Sequence, residues 1–435
     1  MTVLKNLSKF SSVITEIKKN NYNLALELLK KIKSNKEEKH LESKLYGSIL
    51  FKKQEWLKSI KYFNKVLEND KKDLVVLNNI GVALYNIGRF KDSINFFEKL
   101  SKFEANPVNT LRSLGITYKN LGNYEKAIEN FVKALNLQNN DNSVKQYLID
   151  IFNYYIPKET KNNYLLELNK EILDLNKNLK FEEPVDIEFV KNFLNKNLSL
   201  LENLKLEYRE TQIFRRNRTN LNCDRHFKVF NEFKVIPKYC FNCFKIQIDL
   251  NNIVDLIKLF FIFNNIELKK NNIRKCIAET RNNVYGNYKG YIFCNGLEEA
   301  KQLIEVFSHE IKKSKINIKN IKIKHGCTEF YEEYPEYEKI NYDGEQTFKY
   351  LNDWKEKEDI IDKRLHRIKE KDEKVLRPTL SKISLSDVLI IKNWMAYANL
   401  IGDKSYNKIF KQQIKSNYLN ETIKNQINFR RKNYD

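Results

Sequence analysis

The sequence is poor in the residues that make tight turns. Its 435 residues include only 11 glycines and 6 prolines, which argues against a β-rich fold, because many short strands need many turn residues. Neither GxxxxGKS/T nor GxGxxG occurs, so both common glycine-rich nucleotide-binding loops are excluded. The first residues lack the apolar core of a signal peptide, and the longest apolar stretch, 253–262, is too short to cross a bilayer. We therefore expect a cytoplasmic protein with no membrane partner.

Positive charge is in excess, but arginine is scarce. The 78 Lys and Arg against 56 Asp and Glu give a formal net charge of +22, yet only 14 of the cations are arginine. Abundant lysine, asparagine and isoleucine are typical of an AT-rich coding sequence, so the net charge by itself is weak evidence for a nucleic-acid partner. Arginine reads phosphates and bases better than lysine. Five arginines lie between Arg209 and Arg225, and three of them are candidate nucleic-acid contacts: Arg215, Arg216 and Arg218.

An internal repeat of 34 residues occupies the first third of the chain. Four columns recur at this spacing in three copies: Gly47, Gly81 and Gly115; Trp56, Phe90 and Tyr124; Ser59, Ser93 and Ala127; Phe63, Phe97 and Phe131. Each copy predicts two helices, with the column glycine where the neighbouring helix passes closely. Gly88 and Gly122 fall in the intervening turns, where a positive φ favours glycine.

The stretch 114–131, LG…Y…LGNYEKAIENF, resembles the tetratricopeptide repeat (TPR) family, and the resemblance extends over about residues 6–155. It implies a right-handed helical array whose concave face binds a peptide or a segment of another protein. The partner-binding positions that it implies are Lys44, Asn78, Asn79, Arg112, Lys119 and Asn120. The alternative is an array that serves only as a dimerisation or docking surface.

The middle of the chain predicts a second kind of fold. Strands at 244–250, 273–281, 289–295 and 320–327 and helices at 251–265 and 297–313 follow the order β-α-β-β-α-β, which is that of the ferredoxin-like arrangement. Helices are also predicted at 347–375 and 385–398. The predicted fold class is therefore α+β, in four parts: a TPR-type helical repeat domain (1–156), a helical connector (157–220), a cysteine-rich ferredoxin-like domain (221–343) and a helical C-terminal segment (344–435).

All six cysteines lie in the predicted ferredoxin-like domain. The spacing Cys223-x2-His226 followed by Cys240-x2-Cys243 predicts a tetrahedral zinc site with three thiolates and one imidazole. The strand order also predicts that Cys243, Cys276, Cys294 and Cys327 collect at one edge of the sheet. An iron–sulfur cluster is thus an alternative, with Cys240, Cys243 and two of Cys276, Cys294 and Cys327 as ligands. A third alternative is no metal, because free cysteine is an ordinary buried residue.

These patterns favour a protein-binding adaptor that uses a TPR groove and carries a metal-binding module. One alternative is an enzyme, redox or transferase, whose array recruits a protein substrate, although no catalytic residue is assigned. His325 and Cys327 are close enough in sequence for a dyad, but alternate strand residues share a face for geometric reasons alone. A second alternative is RNA binding by the sheet, because Tyr291 and Phe293 alternate in KGYIFCNG and would stack on bases.

Overall fold

The computed structural model describes residues 9–160, 162–179, 185–202, 204–282, 284–366 and 371–432. The chain forms two compact units: Met1–Tyr147 with Leu365–Val375, and Leu148–Arg364 with Leu376–Asp435. The four-part division predicted above is finer than this and stays a prediction. No helix in the described ranges is both long enough and apolar enough to cross a bilayer.

The first unit is built of consecutive helices, the last of which reaches the division between the units. Their bounds are α1 Ser11–Lys18, α2 Tyr22–Lys31, α3 Lys39–Lys52, α4 Trp56–Asn69, α5 Leu74–Asn86, α6 Phe90–Phe103, α7 Val108–Asn120, α8 Tyr124–Leu137 and α9 Asn142–Ile151. Each predicted repeat is therefore one helix pair: α3 with α4, α5 with α6, and α7 with α8.

The glycine column is explained by the phenylalanine of the second helix in each pair. A Cβ atom added to Gly81 would lie 2.6 Å from the Phe97 ring, and one added to Gly115 would lie 2.3 Å from the Phe131 ring. Such distances are too short for any side chain, so the predicted close passage of the helices is confirmed. The backbone of Gly88 has φ 80° and that of Gly122 has φ 71°, as predicted for the turns.

The second unit contains one sheet and several helices. The strands are β1 Gln212–Arg215, β2 Cys243–Leu250, β3 Arg274–Ala278, β4 Tyr288–Asn295 and β5 Ile318–His325. The helices are α10 Tyr164–Leu175, α11 Ile187–Ser199, α12 Cys223–Phe233, α13 Ile253–Asn265, α14 Leu297–Lys313, α15 Trp354–His366, α16 Leu385–Ile401, α17 Asn417–Ile423 and α18 Ile427–Arg431.

The five strands form an antiparallel sheet in the order β1-β3-β4-β2-β5. Strands β2 to β5 and helices α13 and α14 lie within a few residues of their predicted positions. Strand β1 was not predicted. It has four residues with alternating burial, which is too short a pattern to recognise, and it is a strand because it pairs with β3 at the sheet edge.

Helices α13 and α14 cover one face of the sheet. A Cβ atom on Gly290 of β4 would lie 2.4 Å from Leu259 of α13, so only glycine allows the helix to pack this closely. The rings of Phe263 in α13 and Phe307 in α14 are 5.4 Å apart. One part of the core of this unit therefore lies between the sheet and these two helices, and the buried residues of α16 add another.

One other prediction about secondary structure is wrong. The predicted helix 347–375 is confined to α15; residues 367–370 lie outside the described ranges, and 371–375 have no regular secondary structure. The amides of Asp372 and Val375 bond to the carbonyls of Gly88 and Asn120, which replaces the bonds that a helix would use.

Candidate functional site

Two of the predicted groove cations link consecutive repeats. Lys44 forms an ion pair with Asp73, and Nη1 of Arg112 lies 3.5 Å from a carboxylate oxygen of Asp141. Asp73 also accepts the amide of Val76 and so caps α5, and Asp141 accepts the amides at the start of α9. Each cation therefore bonds to the acidic residue that begins the next repeat, 29 positions further along.

The ion pair is missing from the middle copy, where Asn78 takes the cation position and Pro107 the acidic one. Asn78 and Asn79 are half-buried, and Val75 on the same helix is 57% exposed. Lys119 lies over the ring of Tyr147 with its Nζ 5.6 Å from the ring centroid. The role of all these residues in partner binding stays a prediction.

One of the four strand cysteines that were predicted to meet at one sheet edge does not reach it. Cys276 pairs with Gly290 in the middle of its strand, and both Cys276 and Cys294 lie on the face covered by the helices. They are 1% and 5% exposed. Cys243, at the start of β2, belongs to the opposite face, because side chains alternate along a strand. The predicted gathering of four strand cysteines is therefore wrong for Cys276, whereas Cys243 and Cys294 lie at one edge of the sheet and Cys327 follows β5 there.

Three of the predicted zinc ligands, Cys223, Cys240 and Cys243, lie near one another and near Cys327, because burial and the neighbouring thiols together raise the pKa of each of the three. Over the described residues, no three His, Cys, Asp or Glu side chains have an arrangement that could hold a metal ion. His226 is 6% exposed, and its ring stacks on Tyr239 with centroids 5.2 Å apart. Burial and the adjacent Arg225 lower the pKa of His226. Zinc binding by these residues stays a prediction.

The thiols and the imidazole of this region are poorly suited to catalysis. Burial raises the pKa of Cys240, and it raises that of Cys243 to about 11, so both are neutral thiols at pH 7 and weak nucleophiles. The ring nitrogens of His325 lie 3.1 and 2.9 Å from the carbonyl oxygens of Tyr337 and Phe241. With both nitrogens against carbonyls, His325 is not placed to act as a base for Cys327.

The face of the sheet opposite α13 and α14 carries lysines. Lys275 of β3 lies beside Tyr291 of β4 in the register, and Lys245 of β2 lies between Phe293 of β4 and Lys324 of β5. We call this surface the lysine face and define it by Lys245, Lys275, Lys322 and Lys324, of which Lys322 is exposed and the others are half-buried.

Sequence reasoning missed these lysines because it attributed lysine content to composition. The signal was present in the strands: in FKIQIDL and IKIKH, polar residues alternate with residues that belong to the helix-covered face. Tyr291 and Phe293, which were predicted to contact nucleic acid, do share the lysine face. Tyr291 is only 6% exposed, however, and Lys275 lies over its ring at 5.1 Å.

The three arginines predicted as nucleic-acid contacts have different surroundings. Arg215 is 6% exposed and forms two parallel hydrogen bonds with Asp387, 3.0 and 3.1 Å long. A guanidinium held in this way cannot reach a nucleic acid without breaking a buried ion pair. Arg216 is half-buried, with its guanidinium 5.6 Å from the ring centroid of Phe214, and Arg218 is exposed.

Comparison with known proteins identifies the repeats. Residues 108–141 match the family model described as tetratricopeptide repeat. The repeats of the first unit are tetratricopeptide repeats. MamA (residues 41 to the end) from Desulfovibrio magneticus RS-1 is 20% identical over 34% of this chain and 83% of its own, with a TM-score of 0.31. YrrB, a TPR protein with an unusual peptide-binding site, is 17% identical over 32% of this chain and 72% of its own, with a TM-score of 0.29. No curated protein matches the sequence significantly.

The TPR array holds an extended segment from a distant part of the same chain. The amide of Asp372 donates to the carbonyl of Gly88, and the amide of Val375 donates to that of Asn120, each over 2.9 Å. The Asp372 carboxylate accepts the amide of Lys91 at the start of α6, over 2.8 Å. We call residues 371–375 the strap.

The strap crosses equivalent turns of two neighbouring repeats. A Cβ atom on Gly88 would lie 2.8 Å from the Lys371 side chain, and one on Gly122 would lie 2.8 Å from Val375. Glycine is therefore required at both positions for two reasons: its backbone allows the positive φ, and its lack of a side chain leaves the space that the strap occupies. Four residues of extended chain span one repeat of the array.

Proposed function

We propose that this chain is a protein-binding adaptor whose TPR array holds extended peptide segments across the turns between paired helices. The observation that supports the proposal is the strap, a segment already bound there. Two backbone carbonyls, of Gly88 and Asn120, accept its amides, and such bonds are available to any extended sequence.

The strap also indicates which side chains such a surface prefers. Asp372 lies at the N-terminus of α6. The helix dipole favours a carboxylate there, and so do the first amides of a helix, which have no partner within the helix itself. Val375 lies against Gly122, where only an apolar or small side chain fits closely. We therefore infer a preference for an acidic residue followed three positions later by an apolar one.

For the second unit we propose the ferredoxin-like arrangement for β2 to β5. The supporting observations are their order, β3-β4-β2-β5, and the packing of α13 and α14 on a single face. Strand β1 extends this arrangement at the β3 edge. The residues that follow the strap, from Leu376 onwards, belong to the second unit.

The experiment uses a fluorescein-labelled peptide of residues 369–378 and two full-length proteins. In the variant Asp372→Ala with Val375→Ala, the weakened strap leaves the turns accessible, and we expect the peptide to bind with a rise in fluorescence anisotropy. The wild type should bind at least 100-fold more weakly, because a tethered segment competes at an effective concentration in the millimolar range.

Two controls make the result specific. A peptide carrying the same two alanines should not bind, and adding Gly122→Val to the opened variant should remove binding by filling the site of Val375. If circular dichroism shows the opened variant to be folded and the wild-type peptide still fails to bind it, this edge of the array is not a peptide site.

A further inference from the structure

The lysine face combines cationic and aromatic side chains in a regular pattern. Across the strands, one row of register partners contains Phe214, Lys275, Tyr291, Gln247 and Lys322, and the next contains Phe293, Lys245 and Lys324. The two rows are about 7 Å apart, the distance spanned by two residues of a strand. Each of Phe214, Tyr291 and Phe293 therefore has a lysine as a direct partner on an adjacent strand.

The half-buried lysines of this face bond to neutral groups. The Nζ atom of Lys275 lies 3.2 Å from the amide oxygen of Gln212, that of Lys324 lies 3.0 Å from the Thr328 hydroxyl, and that of Lys245 lies 3.5 Å from the Cys327 sulfur. None of these lysines has a carboxylate within ion-pair distance among the described residues.

Carboxylates also lie near the face. Glu279 bonds to Arg281 over 2.8 Å and lies 3.6 Å from Lys289, and Asp249 accepts a hydrogen bond from Gln247. Glu329 also pairs with Arg281, at 3.5 Å, and acts together with Glu338 on Lys324. These four carboxylates offset only part of the positive charge that the lysines and Arg281 bring to the face.

This excess is unfavourable in the free protein. Lys245 and Lys324 are direct partners on adjacent strands, and like charges at such positions destabilise a sheet. Burial, together with the charges of Lys245 and Arg281, lowers the pKa of Lys275 to about 8. A bound polyanion would remove both penalties, because phosphates would pair with the lysines and return Lys275 to its ordinary pKa.

The aromatic rings favour a nucleic acid over other polyanions. Lys275 lies 5.5 Å from the ring centroid of Phe214, and Lys245 lies 5.3 Å from that of Phe293. Both phenylalanines are half-buried, so part of each ring remains accessible. A basic surface with accessible rings is the combination that binds single strands, in which phosphates meet cations and unpaired bases stack.

We propose that the lysine face binds single-stranded nucleic acid, with phosphates at Lys245, Lys275 and Lys324 and a base stacked on Phe293. Double-stranded nucleic acid binds more weakly there, because its bases are paired and cannot reach Phe293. The site belongs to the second unit and is independent of peptide binding by the TPR array.

The test measures fluorescence anisotropy of labelled U12 and dT12 with the full-length protein at several salt concentrations. In Lys245→Gln/Lys275→Gln/Lys324→Gln we expect at least 30-fold weaker binding of either strand. The slope of log K against log salt should fall by about 2, since each neutralised phosphate of a single strand contributes about 0.7. The matched control is Lys269→Gln/Lys312→Gln/Lys313→Gln, which removes the same charge from exposed positions away from this face and should bind almost as tightly as the wild type.

Phe293→Ala separates stacking from charge. We expect binding to weaken about tenfold with the salt slope unchanged. Tighter binding of U12 than of dT12 identifies RNA as the preferred strand, and the reverse identifies DNA; both support the proposal. Equal losses of affinity in the two triple-lysine variants would overturn the proposal. Binding a labelled poly-glutamate peptide as tightly as the single strands would also overturn it and would indicate an acidic protein partner. So would equally tight binding of a 12-base-pair duplex. Absence of binding by the wild type at 50 mM salt would also overturn it.

Discussion

The ion pair between Arg215 and Asp387 offers a quantitative test of how the second unit is held together. The two side chains are 6% and 2% exposed. The Nε atom of Arg215 also donates to Asn264 over 2.6 Å, and the guanidinium lies 5.1 Å from the ring centroid of Phe260. Asp387 in turn completes the capping box that begins α16. The pair thus joins β1, α13 and α16.

Removing one partner leaves the other charge buried and uncompensated. Arg215→Met keeps much of the side-chain volume and should lower the free energy of unfolding by about 3–5 kcal/mol, which is the usual effect of breaking a buried pair. Asp387→Asn should have a similar effect for the same reason. The double variant carries neither charge, so its loss should be smaller than the sum of the single losses by about 2 kcal/mol or more.

Urea denaturation measures these differences. In the background Trp56→Phe with Trp354→Phe, the remaining tryptophan is Trp394, which is fully buried in α16 and donates to the carbonyl of Thr211. Its fluorescence therefore reports the unfolding of the second unit. Arg216→Met, which removes a neighbouring guanidinium that is only half-buried, is the matched control and should change stability by about 0.5 kcal/mol or less. Single losses below about 1 kcal/mol, or losses that add without coupling, would refute this account of the pair.

Two further predictions concern the core of each unit. Gly115→Ala should destabilise the TPR array by about 1–3 kcal/mol, as overpacking does. Adding Phe131→Leu to this variant should recover part of the lost stability. Thermal unfolding measures both effects, and an unchanged melting temperature in Gly115→Ala would contradict the packing argument. Burial lowers the pKa of Lys289 to about 8 from an ordinary 10.5, so the folded state holds fewer protons than the unfolded state between these values and stability rises with pH. Relative to Lys289→Met, the wild type should therefore gain about 3 kcal/mol between pH 7.5 and pH 10.5; parallel stability curves for the two proteins would show that the lysine titrates normally.

The helical repeats were predictable because their contacts are local and periodic. Gly115 meets Phe131, only 16 positions away, and the same pair recurs at 34-residue intervals, so the sequence itself displays the packing. Strand β2 and the end of β5 were predictable for a related reason, since alternation along them reflects one covered face. Strand β1 has no such signal, because its four residues depend on β3 for their hydrogen bonds.

The spacing of cysteines and lysines along the sequence did not show which of them share a surface in the folded protein. Cys240 and Cys243 have the spacing of metal ligands, but Cys223 begins a helix and His226 stacks on a tyrosine. Cys276 and Cys294 belong to the helix-covered face because each strand residue takes its side from its position in the register. The same rule brings Lys245 and Lys275 onto one surface, although the sequence offers many lysines that resemble them.

The sequence by itself determined the repeat fold, the helix pairs and their turns, because these follow from short-range packing and from the φ angles that glycine allows. Only the tertiary structure decided what occupies the turns. Asp372 lies 281 positions from the amide of Lys91 that it accepts, and nothing in either segment indicates the other. Contacts of this kind depend on where the folded chain returns, and that depends on the folding of all the residues in between.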